Sequence, residues 1–427
     1  MHIVLKLKAI NLFCWKMTFR IIIKEAVHEN KVAVMFGGKS VEHEVSVISG
    51  IQAIMSMDQE KYEVIPVYLT KKNEMYVGEE TGKIEAYKDI PGLLSKSQRV
   101  ILVNEDDHIV LMPYPVKLFG KKSIEVDIAF PIVHGTNVED GALQGYLKTI
   151  GIPFVGCDVT ASALGMDKYA SKVVLKENGV PVLDGYCFTT SDYAEIDGIL
   201  DKVEKEIGYP AIVKPVDLGS SVGISVARNR SELTSSIDDA FLYARKIIIE
   251  HAITKLREIN CAVLGDENEA IASECEEPLH TKDILSYEDK YVSNAKGGGS
   301  KGMASVSRKI PAELSPEKRK EVQELAVKSF QKLGCNGVAR IDFMIDEENG
   351  KLYFNEINTI PGSLAFYLWE PVGISYPELL DRMIRLALKR VREEESITFS
   401  FDTNILNQNS LGGVKGGKMG KLKAPLQ

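Results

Sequence analysis

The sequence has no run of about 20 apolar residues, the length that a transmembrane helix needs. It also has no surplus of positive charge, because 52 lysines and arginines stand against 60 aspartates and glutamates, for a net charge of -8. Without a positive overall field the chain is not expected to bind nucleic acid or an anionic membrane. Any polyanion that binds must be small and held by a local basic cluster.

Cysteine is scarce, and its six occurrences show no CxxC spacing of the kind that indicates a metal or redox site. Several of them lie in apolar segments, where a reduced thiol behaves as a small hydrophobic side chain. The first 30 residues are basic, but charges interrupt every apolar run, so the core of a signal peptide is missing. We therefore expect a cytoplasmic protein in which residues 1–30 are an N-terminal extension or reflect an uncertain start site, with a weak amphipathic surface helix as the alternative.

Length and composition predict several domains. With 427 residues, 44% of them hydrophobic and 26% charged, the chain can form two or three domains that each have a core. Strand-like segments alternate with helix-like ones in the first part, which predicts an α/β domain with a parallel sheet. The expected strands include 31–36, 62–69, 126–133, 153–155 and 211–215, and Ser231 is expected to cap a helix. The predicted division is 31–156 for the N-terminal domain, 157–246 for a central lobe, 247–393 for a C-terminal lobe with a mobile loop at 283–309, and 394–427 for a flexible tail.

The most informative segment is a pair of apolar strands joined by the polar turn 346–350, a pattern that predicts a β-hairpin. Asp342, Glu356 and Asn358 offer hard oxygen ligands, which suit Mg²⁺ that bridges the phosphates of ATP. Glu356 and Asn358 are two residues apart on one strand, so we expect both side chains on one face of the sheet. Arg340 and Asp342 share a face for the same reason.

Six motifs occur in the order that is typical of one enzyme family. They are GGKSVEHEVS (37–46), HGTNVEDGALQG (134–145), GMDK (165–168), VKPVDLGSSVG (213–223), YEDKY (287–291), and ARIDF with NEINTIPG (339–343 and 355–362). Between residues 31 and 388 the chain therefore resembles the D-alanine:D-alanine ligase family of ATP-grasp enzymes.

This resemblance implies an α/β ATP-grasp fold, in which an N-terminal parallel-sheet domain precedes two α+β lobes that clamp ATP. It also implies a reaction: ATP phosphorylates the carboxylate of one D-alanine, and the amine of a second D-alanine displaces the phosphate. The product, D-alanyl-D-alanine, is a precursor of peptidoglycan. ATP is expected as a substrate, together with two Mg²⁺ or Mn²⁺ ions, and the homodimer that is common in the family is a further expectation.

The resemblance also implies roles for individual residues. Glu42, hydrogen-bonded to Ser220 and Tyr291, would hold the ammonium group of the first D-alanine. Arg340 and the backbone N–H of Gly362 would stabilise the tetrahedral oxyanion. The other expected contacts are Asp342, Glu356 and Asn358 for the metal, Lys168, Lys214 and Lys290 for the phosphates, Glu250 and Glu258 for adenine and ribose, and His134, Tyr367 and Leu368 for the amino acids.

Three features depart from the family pattern. Val138 stands where the family has glycine, and a β-branched side chain disfavours positive φ, so its loop is expected to differ. The spacing from Glu250 to Glu258 is one residue longer than usual. Tyr367 and Leu368 fall at the acceptor position in place of a short serine-containing segment, so the second substrate could differ from D-alanine.

Two alternatives follow from these departures and from the motifs. One is a D-alanine ligase with a different acceptor, such as D-serine or D-lactate. The other is a nucleotide-binding homologue that has lost ligation, although the joint presence of the expected site residues argues against it. The glycine-rich stretch 297–302 predicts a closing loop that is poorly ordered without substrate, since ordering it costs backbone entropy.

Overall fold

The structure is a computed structural model that describes residues 30–116, 122–219, 222–279 and 308–397. The expectations for Ser220, Lys290, Tyr291, the stretch 297–302 and the tail from 398 lie outside the described residues. Among the helices of the described part, none combines the length and the apolar character that crossing a membrane requires.

The N-terminal sheet has seven strands: β1 (Asn30–Gly37), β2 (Tyr62–Leu69), β3 (Met75–Val77), β4 (Gln98–Glu105), β5 (His108–Pro113), β6 (Ile124–Glu125) and β7 (Ile128–Ile132). Its helices are α1 (His43–Ser56), α2 (Ile90–Lys96) and α3 (Ala142–Ile150). In the order β6-β5-β4-β3-β2-β1-β7, β1 lies between β2 and the edge strand β7 and pairs in parallel with both, while β3 to β6 extend the sheet as antiparallel strands. The last six residues of β1 are all buried, as expected for a strand that is covered on both faces.

Most of the strands expected in this part are confirmed. The prediction at 62–69 matches β2, and those at 31–36 and 126–133 overlap β1 and β7. The strand expected at 153–155 is wrong, because only Phe154 pairs with the sheet, as an isolated bridge to Ala129. Pro153 lacks a backbone N–H and Gly156 turns away with a φ of 98°, so pairing cannot continue on either side.

The central sheet is antiparallel, with strands β8 (Gly185–Thr189), β9 (Ala211–Pro215), β10 (Ser225–Ala227) and β11 (Lys246–His251) in the order β10-β9-β11-β8. Helices α6 (Ile196–Glu206) and α7 (Arg230–Phe241) cover it, after α4 (Val159–Met166) and α5 (Lys168–Glu177) earlier in the chain. Asn229 rather than Ser231 caps α7: its side chain accepts a hydrogen bond from the N–H of Glu232, whereas Ser231 is already inside the helix.

The C-terminal sheet contains β12 (Leu256–Gly265), β13 (Ala270–Pro278), β14 (Arg308–Lys309), β15 (Gly337–Asp346) and β16 (Lys351–Asn358), in the order β14-β13-β12-β15-β16. Helices α8 (Pro316–Lys332) and α9 (Tyr376–Glu395) complete this part, and a 3₁₀ segment spans Gly362–Leu368. β15 and β16 form the predicted hairpin, which confirms the turn at 346–350.

The buried clusters bear on the predicted division of the chain. Cys157, Ala161 and Leu175 pack in the same buried cluster as residues of the C-terminal sheet, although 157–177 was assigned to the central lobe. β11 belongs to the central sheet, although it extends five residues past the predicted boundary at 246. We therefore propose that the central lobe spans 185–251.

Candidate active site

A row of four polar side chains crosses the C-terminal sheet. Glu276 on β13 is paired with Asn260 on β12, Asn260 with Asp342 on β15, and Asp342 with Glu356 on β16. Directly paired residues of antiparallel strands project from the same face of the sheet. The row therefore brings three carboxylates and one amide together, and all four side chains line one cavity.

A second pair lies beside this row, because Arg340 is paired with Asn358. The expectation that Arg340, Asp342, Glu356 and Asn358 share one face therefore agrees with the strand register. A β-bulge follows Asp342, and it turns Asn355 to the same side as its neighbour Glu356, so that both line the cavity. Strict alternation would have placed Asn355 on the opposite face, which is why the sequence reasoning left it out.

Arg340 holds Asp342 with two hydrogen bonds, from Nε to Oδ1 at 2.7 Å and from Nη2 to Oδ2 at 2.7 Å. Asn358 donates a third hydrogen bond from Nδ2 to Asp342 Oδ2 at 3.0 Å. Burial disfavours the charged form and raises the pKa of Asp342, against the opposing effect of the Arg340 charge. Burial alone would lower the pKa of Arg340, but Asp342 outweighs it and the pKa lies well above its usual value.

Two lysines reach the cavity from neighbouring elements. Lys168, at the start of α5, donates from Nζ to the backbone carbonyl of Leu218 at 2.7 Å and lies 3.1 Å from Glu356 Oε2. Lys214, on β9, donates to Asn355 Oδ1 at 3.1 Å. Both ammonium groups therefore stand next to the carboxylate and amide groups of the hairpin, where phosphate oxygens are expected.

Glu250 sits behind these lysines with no exposed surface. Its carboxylate pairs with Lys214 at 3.0 Å and with the buried Lys172 on α5. Burial would raise the pKa of Glu250, but the charges of Lys172 and Lys214 outweigh it and lower the pKa to about 2. The sequence reasoning missed Lys172, although its position four residues after Lys168 puts both lysines on one face of a helix.

Glu42 precedes helix α1 and is almost entirely buried against two glycines. A Cβ atom added to Gly135 would lie 3.3 Å from Glu42 Oε2, and one added to Gly219 would lie 3.5 Å from the same atom. Gly219 and Gly135 therefore both lie against the carboxylate of Glu42, while the hydrogen bond expected between Glu42 and Ser220 lies outside the described residues.

The loop of His134 contacts the segment that follows β16. His134 Nδ1 is 2.8 Å from the carbonyl oxygen of Ile360, and Nε2 is 2.9 Å from Ser49 Oγ. In the same loop, burial and the neighbouring Glu42 raise the pKa of Glu139 to about 8. Burial lowers the pKa of His134. Val138, whose effect on this loop was in question, packs in the N-terminal core and is not among the described residues with positive φ.

Tyr367 lies in a separate polar cluster at the Glu276 end of the row. Glu276 accepts hydrogen bonds from Asn260 at 3.0 Å and from Arg308 at 2.9 Å, and the Tyr367 hydroxyl is 3.4 Å from the same carboxylate. The Arg308 guanidinium carbon lies 4.1 Å from the centre of the Tyr367 ring. Burial and Glu276 raise the pKa of Tyr367 to about 12.

The predicted site residues thus divide into three groups. Those that line the cavity are Glu42, His134, Lys168, Lys214, Glu258, Arg340, Asp342, Glu356, Asn358 and Gly362. Among the described residues, Glu250, Tyr367 and Leu368 are not in its lining: Glu250 supports Lys214 from behind, Tyr367 contacts the lining residues Glu276 and Arg308, and Leu368 is fully buried in the core. Ser220, Lys290 and Tyr291 lie outside the described residues.

The donor set of the hairpin fits a magnesium ion that also binds phosphates. Two carboxylates and one amide face the cavity, and each carboxylate is held by a cation, Asp342 by Arg340 and Glu356 by Lys168. Mg²⁺ typically binds one or two carboxylates together with substrate phosphates, rather than a complete protein cage. In the described part of the chain, no group of three or more histidine, cysteine or acidic side chains is arranged to hold a metal.

The fold and the cavity define a protein of the ATP-grasp class, with carboxylates and an arginine on the C-terminal sheet and two lysines that reach them from α5 and β9. Two family models match the chain: "D-ala D-ala ligase N-terminus" over residues 31–157 and "D-ala D-ala ligase C-terminus" over residues 174–385. The chain belongs to the D-alanine–D-alanine ligase family.

Individual relatives agree with the family models. The chain is 42% identical to a D-alanine–D-alanine ligase of Caldicellulosiruptor bescii, over 87% of this chain and 98% of the relative. It is 37% identical to a D-alanine–D-alanine ligase of Thermosipho melanesiensis, over 88% of this chain and 98% of the relative. Among solved structures, the D-alanine-D-alanine ligase from Coxiella burnetii has a TM-score of 0.71 at 29% identity and covers 86% of this chain and 96% of its own. The VanG D-Ala:D-Ser ligase from Enterococcus faecalis has a TM-score of 0.70 at 31% identity and covers 84% of this chain and 100% of its own.

Proposed function

We propose that this protein joins two D-alanine molecules at the expense of ATP and thereby supplies D-alanyl-D-alanine for peptidoglycan. The observation that carries the proposal is the shared face of Arg340, Asp342, Glu356 and Asn358, with Lys168 beside them. Transfer of a phosphoryl group to a carboxylate brings several negative oxygens together, so a site for it needs fixed positive charge and oxygen ligands for a metal.

In the first step, a carboxylate oxygen of one D-alanine bonds to the γ-phosphorus of ATP, and the bond from that phosphorus to ADP breaks. Lys168 and Lys214 are assigned to the phosphates and Glu258 to the ribose, and Lys290 is proposed to close over the γ-phosphate. Asp342, Glu356 and Asn358 are assigned to Mg²⁺ or Mn²⁺, which supplies further positive charge to the phosphate oxygens when bound.

In the second step, the amine nitrogen of the second D-alanine bonds to the carbonyl carbon of the acyl phosphate. The bond from that carbon to the phosphate oxygen then breaks, phosphate leaves and the amine loses a proton. Arg340 and the N–H of Gly362 are assigned to the negative oxygen of the tetrahedral intermediate. Glu42, with Ser220 and Tyr291, is proposed to hold the ammonium group of the first D-alanine. The cytoplasmic location and the homodimer remain predictions.

One experiment separates this proposal from its alternatives. Release of ADP and phosphate from ATP is measured with D-alanine alone, with D-serine or D-lactate alone and with each of these paired with D-alanine, and the products are identified by mass. We expect D-alanine alone to support turnover and to give the dipeptide. Turnover that requires D-serine or D-lactate would show that this compound, rather than a second D-alanine, is the acceptor. Binding of ATP without any D-alanine-dependent turnover would favour the non-catalytic homologue.

One observation favours the alternative in which the acceptor is not D-alanine. Tyr367 contacts Glu276 and Arg308 at one end of the cavity, and a tyrosine fills more volume there than a serine would. One structural relative, the VanG D-Ala:D-Ser ligase from Enterococcus faecalis, shares 31% identity with this chain. The product analysis with paired substrates therefore includes D-serine at the same concentration as D-alanine.

A further inference from the structure

Glu139 bridges two segments that are more than 200 residues apart in sequence. Its Oε2 accepts a hydrogen bond from the N–H of Gly135 at 2.6 Å, within its own loop. Its Oε1 accepts another from the N–H of Ile360 at 3.3 Å, just after β16. The loop belongs to the N-terminal domain and Ile360 to the C-terminal lobe, so one carboxyl group ties the two together.

His134 also holds Ile360, through the backbone carbonyl group of that residue. Its Nδ1 is 2.8 Å from the carbonyl oxygen of Ile360, so Nδ1 must carry the proton and donate it. In a neutral ring Nε2 then accepts, and its partner at 2.9 Å is the hydroxyl of Ser49. Ser49 Oγ in turn accepts the N–H of Ser363 at 2.9 Å. The neutral ring agrees with the pKa of His134, which burial lowers.

These contacts enclose Gly362, the residue whose N–H is assigned to the oxyanion. Ile360 is fixed on one side of it, through its N–H by Glu139 and through its carbonyl by His134. Ser363 is fixed on the other side by Ser49. A backbone donor that stabilises developing charge must be in place before the reaction, because a displacement of about 1 Å can cost about 100-fold in rate.

We propose that Glu139 is a positioning residue that sets the backbone N–H of Gly362 for the tetrahedral oxyanion, an inference that rests on the proposed ligase function. The role depends on two acceptor oxygens rather than on charge, because a protonated carboxyl group still offers a lone pair on each oxygen. A glutamine has the same shape but only one acceptor oxygen, and its NH₂ group would face a backbone N–H.

The variant Glu139→Gln in the full chain tests this inference. We expect kcat to fall by about 10- to 100-fold while KM for ATP changes by less than about twofold. The affinity for a tetrahedral phosphinate analogue of the dipeptide should fall by a similar factor, whereas the affinity for D-alanyl-D-alanine itself should not. This difference between the analogue and the product reports transition-state stabilisation, which general loosening of the loop would not affect selectively.

Asp140→Asn is the matched control. Asp140 also accepts two backbone N–H groups, from Asn137 at 2.7 Å and from Ala142 at 3.0 Å, but both lie within the loop region and neither belongs to the segment of Gly362. We expect its kcat to stay within about threefold of wild type. Should Glu139→Gln fail to fold in urea titrations, Glu139→Asp, which keeps two oxygens on a shorter stem, should lower kcat by about 3- to 10-fold at unchanged KM for ATP.

The possible outcomes distinguish the positioning role of Glu139 from the proposed ligase function. Wild-type kcat in Glu139→Gln, or equal losses in Glu139→Gln and Asp140→Asn, would overturn the positioning role while leaving the ligase function in place. A wild-type protein without D-alanine-dependent turnover would refute the proposed function, and the inference with it. Selective loss of kcat and of analogue affinity in Glu139→Gln would support the role.

Discussion

Arg340 and Asp342 lie two residues apart on β15 and form a two-pronged ion pair, with both N···O distances at 2.7 Å. Asp342 is also assigned to the metal, so a metal ion must share this carboxylate with Arg340 or displace it. Displacement would release the guanidinium toward the reacting carboxylate as the metal arrives. If the metal displaces Arg340, the pair would link metal binding to the availability of the charge that is proposed to stabilise the oxyanion.

The first prediction concerns Asp342→Asn. The amide keeps the shape of the carboxylate but loses its charge, both as a metal ligand and as the partner of Arg340. We expect the Mg²⁺ or Mn²⁺ concentration for half-maximal turnover to rise by at least about tenfold, since even the loss of a group that only supports a metal ligand costs about 10- to 100-fold in affinity. Titration of turnover with each metal at saturating ATP measures the effect.

Asp346→Asn is the control for that prediction. Asp346 is the last residue of the same strand and accepts the N–H of Glu348 in the turn, away from the cavity. The Asp346→Asn substitution should leave the metal concentration for half-maximal turnover unchanged. If Asp342→Asn requires no more metal than Asp346→Asn, the ion is held by other groups.

The second prediction concerns Lys168→Met. Lys168 is assigned to the phosphates and also lies 3.1 Å from Glu356. A hydrogen bond to a charged group contributes about 1.5–3 kcal/mol, so we expect ATP affinity to fall by about 10- to 150-fold. The affinity for Mn²⁺ alone should rise instead, because the ammonium group no longer competes for Glu356. Calorimetric titrations with a non-hydrolysable ATP analogue and with Mn²⁺ measure the two opposite changes.

Lys176→Met provides the comparison on the same helix. Lys176 pairs with Asp184 on the surface, and both side chains are largely exposed, so neither affinity should change. A parallel fall of ATP and metal affinity in Lys168→Met would show that Lys168 does not compete with the metal.

The sequence was sufficient to predict the hairpin and the face that carries the proposed metal ligands. Alternation of apolar and polar residues fixes the face, and the polar turn fixes the pairing of β15 with β16, so local information decides both. The same reasoning does not indicate Asn355, because a β-bulge adds one residue and reverses the alternation at that point.

Other parts of the site depend on contacts between distant segments. Lys172 and Glu250 are 78 residues apart, and nothing in the pattern of either segment indicates that they meet.

Ser363, Leu364 and Ala365 have φ values of 51°, 53° and 50°, a left-handed turn that non-glycine residues adopt at a cost of about 1–2 kcal/mol each. Local preference argues against such a turn, and here buried packing of all three residues imposes it.

The third prediction uses the buried charge of Glu250. Replacing it by glutamine leaves Lys172 and Lys214 without their anion, and breaking a buried ion pair in this way costs about 3–5 kcal/mol. We therefore expect Glu250→Gln to lower the free energy of unfolding at pH 7 by that amount. Glu321→Gln, which removes an exposed partner of Lys318 on α8, should change it by less than about 0.5 kcal/mol.

The pH dependence follows from the pKa of Glu250, which lies at about 2 in the folded protein against an ordinary value of 4.5. Below pH 4.5 the unfolded chain takes up a proton that the folded one still lacks. The stabilisation is therefore complete above pH 4.5 and is lost as the pH falls toward 2, by about 3 kcal/mol in total. Urea unfolding from pH 7 to pH 3 should show that the difference in free energy of unfolding between wild type and Glu250→Gln shrinks below pH 4.5. A difference that stays constant would contradict the lowered pKa of Glu250.

The fourth prediction concerns the acceptor and compares two buried tyrosines. If the Tyr367 hydroxyl serves the carboxylate of the second amino acid, Tyr367→Phe should raise KM for that amino acid by about tenfold, the equivalent of one hydrogen bond, and leave KM for ATP unchanged. Tyr376→Phe removes a buried hydroxyl that has no hydrogen-bond partner among the described residues, so it should leave the kinetics unchanged and add about 1 kcal/mol to the free energy of unfolding. Steady-state kinetics with D-alanine, D-serine and D-lactate as acceptors measure the first effect, and urea unfolding measures the second. Identical kinetics in the two variants would show that the acceptor carboxylate is bound elsewhere, because both substitutions remove the same atom from a tyrosine and differ only in where that atom lies.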